Sequence, residues 1–175
     1  MKNLGNARRK LHPLPILSNL QSFLDVTAGR AGRRLGLLGL DVSKKAIGVA
    51  GVDPDWQMAT PLVTMGRTKL LQDIGRLTAL LAEREAGALV IGLPLNMDGS
   101  EGPRCQAIRQ FAKDVDQRID LPILLWDERL TTFGAEERAG DLGLSGRKKA
   151  ELLDAIAASL ILEDMLQAIL REGWR

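Results

Sequence analysis

Residues 34–52 read RLGLLGLDVSKKAIGVAGV, and this stretch decides the fold class. Arg34 to Asp41 is a mostly apolar run ending in an aspartate, and Lys44 to Val52 is a second run rich in Val, Ile and Ala. The link Asp41-Val42-Ser43-Lys44 is too short for a helical crossover, so the two runs read as an antiparallel hairpin. Beyond it, DPDW (53–56) is a turn. MATPLVTM (58–65) supplies a third short strand, which Pro61 confines to a sheet edge.

Downstream the hydrophobic period changes. From Arg67 to Arg84 the apolar positions Leu70, Leu71, Ile74, Leu77 and Leu81 recur at helical spacing, and Gly87 closes the helix. ALVIGLP (88–94) has no polar side chain, as expected of a strand buried on both faces and parallel to its neighbour. The turn-rich loop NMDGSEGPR (96–104) leads into a helix ending near Val115, with Cys105, Ile108 and Ala112 inward. LPILLW (121–126) is the last core strand, halted by Asp127-Glu128-Arg129. A short helix over Thr132–Ala139, a loop over 140–146 and a long helix over Arg147–Leu170 complete the chain. This succession predicts an α/β fold: a five-stranded mixed sheet in the order 3-2-1-4-5, with helices on both faces.

Upstream of Arg34 the character is different. Residues 1–34 hold seven basic groups against Asp25 alone, whereas residues 35–175 hold 17 basic and 21 acidic groups. The division expected is a basic N-terminal arm at 1–33, carrying a short amphipathic helix over Ser18–Val26, and a domain at 34–175. Such an arm either touches a polyanion or is a solvated tail.

Composition removes several chemistries. With one Cys and one His in 175 residues, a disulfide framework, a thiolate zinc site and a His-based triad all fall away. No apolar run reaches the roughly 20 residues that span a bilayer, and no signal-peptide core follows the basic start, so a reduced, cytoplasmic setting is expected. No GxxxxGK[ST] string occurs, which argues against a P-loop nucleotide site. An enzyme built from what remains works through carboxylates.

Three acids stand where α/β sheets collect ligands. Asp41 ends the first core strand, Asp127 ends the last, and Asp154 projects from the apolar final helix. Converging, they would bind a hard divalent cation suited to phosphodiester chemistry. Glu128 competes with Asp127 for the same role. The plainer readings are a turn or cap for each strand-end Asp, and an ion pair with Lys149 or Arg147 for Asp154.

Four strings resemble, in order, the signature blocks of the pre-16S rRNA nuclease family, also described as Holliday-junction-resolvase-like and of ribonuclease H-like fold. They are GLDVSKKAIGVA (39–50), VIGLPLNMDGSEGPR (90–104), WDERLTT (126–132) and LLDAIAASLILEDML (152–166), and the likeness spans about residues 34–170. The resemblance implies a cytoplasmic bacterial nuclease that matures the 5′ end of 16S rRNA on a pre-ribosomal particle, using Mg²⁺ or Mn²⁺. It matches Asp41, Asp127 or Glu128, and Asp154 to the family's acids, with Asp41, Asp127 and Asp154 as the metal set. It sets Asn96, Asp98, Ser100, Glu101 and Thr131 at the rim of the site. The family has Gly and Thr where this chain has Ser43 and Lys44. A Gly there would permit positive φ and close backbone approach to a ligand.

Substrate contact is expected through phosphate rather than base stacking, since the chain has no Tyr and six other aromatics. Lys44, Lys45, Arg104, Arg129, Arg147, Lys148 and Lys149 are the candidates, with an exposed helix-start face as the plainer reading of 147–149. Two rivals stay open: a resolvase of structured DNA, and a non-catalytic ribosome-assembly or transcription factor. Monomer and homodimer both remain open as well.

Overall fold

The structure, a computed structural model, describes residues 16–28, 35–129, 143 and 146–173. In chain order the elements are β1 (Ile16–Leu17), α1 (Leu20–Ala28), β2 (Gly36–Val42), β3 (Ala46–Val52) and β4 (Ala59–Gly66). Then follow α2 (Leu70–Glu83), β5 (Ala86–Leu93), α3 (Pro103–Asp116), β6 (Ile123–Asp127) and α4 (Gly146–Arg171). The helix expected over Thr132–Ala139 lies outside the described residues.

The strands form one mixed sheet in the order β1-β6-β5-β2-β3-β4. β2, β3 and β4 meander antiparallel, while β5 runs parallel to β2, and β6 parallel to β5. The expected five-stranded sheet is therefore incorrect. A sixth strand, β1, pairs parallel to the outer edge of β6 through Ile16↔Ile123 and Leu17↔Leu124. It comes from the segment assigned to the basic arm, and two residues beside prolines are too few to show strand alternation. β4 occupies the other edge, where Pro61 sits opposite Ala50 at a register shift.

Period-two alternation along the strands gives the sheet two different faces. Leu38, Leu40, Ile47, Val49, Leu89 and Ile91 turn toward α2 and α3. Leu37, Ala50, Ala88, Val90 and Leu124 turn toward α1 and α4. Asn19 starts α1 by accepting the Ser22 N–H on its side chain at 3.0 Å, and the helix buries Leu20, Phe23 and Leu24 against this second face. Residues 16–28 thus contribute to the core itself.

Candidate active site

The acids meet on the α4 face because glycines clear the sheet beneath the helix. Asp41 in β2 stands directly opposite Gly48 in β3. A Cβ on Gly48 would lie 1.9 Å from the carbonyl oxygen of Asp154, so α4 reaches this depth only over a residue without a side chain. The Ala155 N–H donates to Thr64 Oγ1 at 3.3 Å and ties the same turn of α4 to β4. The result sets Asp154 against Asp41. Burial, then the charge of Asp154, push the Asp41 carboxyl up to about 6, opposed by the Arg104 cation. Burial raises Asp154 as well.

Glu128 completes the group. Its N–H donates to the carbonyl of Leu93 at 3.2 Å, continuing the β5–β6 pairing past the strand end. Its side chain folds over Gly92, where a Cβ would stand 2.0 Å from Oε2. Glu128 is only 5% exposed. Burial, then the charge of Asp41, raise its carboxyl to about 8, with Asp127 adding to the rise and Arg104 opposing it. Asp41 therefore has Asp154 on one side and Glu128 on the other, with the Arg104 cation of the first turn of α3 acting on both Asp41 and Glu128.

Asp127 has a different environment. Arg129 Nε and Nη2 donate to Asp127 Oδ2, each at 2.8 Å, and Oδ1 accepts the Arg129 backbone N–H at 3.1 Å. The pair borders a groove of about 640 Å³ with Met97, Trp126 and Asp164. Of the two acids that the sequence left in competition, Glu128 is the one set against Asp41.

The loop at 96–104 is bonded mainly to itself. Asp98 Oδ1 accepts from the Ser100 N–H at 2.9 Å and from its hydroxyl at 2.6 Å, and Asn96 Nδ2 donates to Ser100 Oγ at 2.9 Å. Those bonds hold Asp98 below the usual carboxylate range. Glu101 is paired with Arg109, which lowers it too. Arg129 Nη1 reaches the Met97 carbonyl at 3.3 Å, and Asn96, Arg104, Glu128 and Arg129 together border a groove of about 390 Å³. These residues shape the rim.

Lys44 and Lys45 are exposed in the β2–β3 turn. There Ser43 Oγ accepts the N–H groups of Lys45 and Ala46 at 3.2 and 3.0 Å, so a side chain organises the turn without positive φ. Lys149 is half-buried one turn ahead of Asp154. Thr131 and the side chains of Arg147 and Lys148 lie outside the described residues.

A model of the family described as RuvX, Holliday junction resolvase, matches residues 36–168. The chain belongs to this family. Among RuvX-family relatives, a protein of Roseobacter denitrificans named "Putative pre-16S rRNA nuclease" is 48% identical over 152 residues, covering 86% of this chain and 93% of its own. One of the same name from Bradyrhizobium sp. is 44% identical over 164 residues, covering 92% and 99%. Thermus thermophilus RuvC, solved with a Holliday junction substrate, superposes with a TM-score of 0.52 at 16% identity, covering 80% of this chain and 97% of that one. That likeness establishes the ribonuclease H-like fold. Family membership marks the chain as a nuclease with a metal-dependent mechanism.

The donor set suits such a metal in kind. All three acids offer oxygen, and burial together with the crowding of like groups is what raises Asp41 and Glu128. Among the described residues, however, no three acidic, His or Cys side chains close into a metal-holding group. An ion here would be held by one or two carboxylates and by water, which is how Mg²⁺ is commonly bound.

Sequence reading missed Gly48, Gly92 and the Asp73 cluster. Each glycine interrupts an apolar strand, and an isolated strand glycine signals close approach of another group. Asp73 is fully buried yet lay outside the apolar stripe of its helix. Its partners Arg67 and Arg76 flank it in sequence, and that charge pattern was the available signal. In the same helix Leu71, expected inward, is 67% exposed.

Proposed function

We propose that the chain hydrolyses phosphodiester bonds of RNA with Mg²⁺ or Mn²⁺ and trims the 5′ end of pre-16S rRNA in the cytoplasm. The observation that carries this reading is the placing of Asp154 and Glu128 against Asp41, where Gly48 and Gly92 leave room, with Arg104 as counter-charge. The names of the RuvX-family relatives support rRNA as the substrate.

In this reading Asp41 and Asp154 hold the ion. When bound, it would polarise the phosphate and supply an activated water at neutral pH. Arg104 and Lys44 draw the phosphate to the acids and offset their charge. Glu128, raised to about 8 by burial and the charge of Asp41 when no metal is bound, would move a proton at the leaving oxygen. Arg129, fixed by Asp127 and the Met97 carbonyl, positions the rim loop.

Incubating pre-16S RNA with Mg²⁺ and either the intact chain or Asp41→Asn tests the proposal. Cleavage should fall at least about a hundredfold in the variant, since the amide keeps shape but loses charge and a ligand oxygen. Equal cleavage by both proteins would return Asp41 to a structural role.

A further inference from the structure

A third groove, of about 610 Å³, opens beside the β2–β3 turn between the start of α2 and the exposed side of α3. Pro103 and Arg104 border both this groove and the one beside Glu128, so the two adjoin at a bend around the first turn of α3. The two arms differ in chemistry. The Glu128 arm is bordered by Asn96, Arg104 and Arg129. The other has apolar walls from Val42, Leu70, Ile108 and Phe111, with the cations Lys44 and Arg67 among them.

Arg67 is held in place from three sides. Its Nε donates to Asp73 Oδ2 at 3.0 Å, its Nη1 to the Ser43 carbonyl at 3.2 Å, and its guanidinium lies 5.2 Å from the Phe111 ring centroid. A path for phosphates alone needs cations in water. Apolar walls beside an immobilised planar cation are what an unstacked base requires, since bases stack on aromatic and guanidinium planes. Gln110 and Asp114, farther along α3, also border the groove, and Gln110 Nε2 donates to Asp114 Oδ1 at 3.2 Å, which leaves the amide oxygen and Asp114 Oδ2 to meet a base edge.

We infer that this groove receives the base of an unpaired nucleotide adjacent to the scissile phosphate of the RNA strand. Arg104 contacts the phosphate at the bend and Lys44 the next one along. The inference rests on nucleic acid being the substrate of the acid site, and it adds that the strand is single-stranded on this side. A duplex cannot present an unstacked base to the groove.

The test is fluorescence anisotropy of the full chain, in chelator, with labelled single-stranded RNA oligonucleotides carrying one abasic position at a time. One or two adjacent positions should weaken binding about tenfold, in line with the value of base stacking, and the rest should change little. The same positions should fall silent in Ala107→Trp. Ala107 is exposed on α3 and borders the groove, so the indole fills the space without touching the core. A flat abasic scan, equal affinity for a duplex of the same sequence, or a position-specific loss that persists in Ala107→Trp would overturn the inference. The two readings fail separately. A flat scan with Asp41-dependent cleavage removes the groove alone, and a position-specific scan without cleavage removes the nuclease reading alone.

Discussion

Asp73 and Glu128 are both buried carboxylates, 0% and 5% exposed, yet their proton affinities lie on opposite sides of the ordinary value. Burial tends to raise both. For Asp73 it is outweighed by hydrogen bonds from Thr68, Arg76 and Arg67, two of them ion pairs at 2.6 and 3.0 Å, and the carboxyl is lowered. Glu128 meets burial and the charges of Asp41 and Asp127, and Arg104 only partly offsets them. One acid is surrounded by donors and cations. The other is packed against like charge, an arrangement that costs stability and is common at functional sites. The contrast sets an acid held by cations apart from one held against like charge.

The largest effect expected from breaking that contrast is at Asp73. Asp73→Asn should cost about 3 kcal/mol, because two cations and Thr68 lose their buried partner; partial exposure of both arginines keeps the figure at the low end. Urea denaturation measures it. A loss under about 1 kcal/mol would mean that Asp73 is not the anchor described.

Next comes Gly48→Ala, where the added methyl meets the backbone of α4 rather than a movable side chain. A cost of about 2 kcal/mol is expected, with cleavage reduced more than stability alone explains, since Asp154 moves away from Asp41. Unchanged cleavage would show that the two acids need not be this close.

A smaller effect separates the clusters by pH. Asp41 and Glu128 have folded values above their unfolded ones, so the stability they contribute is fully present only at low pH. It is lost as pH rises through about 6 and then about 8. Asp73, with a lowered value, acts in the opposite sense and loses its contribution only as pH falls into the acid range. The metal-free protein should therefore lose a few degrees in Tm between pH 5 and 9, and Asp41→Asn should flatten that decline. A Tm that rises over this range would contradict the assignment.

The smallest effect concerns the basic regions outside the site. Replacing Arg147, Lys148 and Lys149 together should lower the slope of log K against log salt by about one unit or more, equally for different RNA sequences. Removing residues 1–15 should act in the same direction. The truncation must end there, since Leu20, Phe23 and Leu24 of α1 are core. A slope identical to that of the intact chain would take the region concerned off the RNA surface.

Much of this fold was legible because its signals are local. The tight link at 41–44 announced the β2–β3 hairpin, and the all-apolar ALVIGLP announced a central parallel strand. β1 was not legible, because two residues carry no period and their pairing with Ile123 and Leu124 is a long-range fact. At the site, Asp41 and Asp154 stood out as acids at a strand end and on an apolar helix. The choice between Asp127 and Glu128 did not, because adjacent residues near a strand end differ only in which side they face. What tells the two apart is long-range: Gly92 makes room for one, and Arg129 engages the other.

Crystals soaked in Mn²⁺ and measured at the manganese edge test the central claim most directly. The account predicts an anomalous peak bordered by Asp41, Asp154 and Glu128 on the α4 face, absent from Asp41→Asn crystals. A peak held by Asp127 and the rim loop, or no peak at a concentration that supports RNA cleavage, would contradict it.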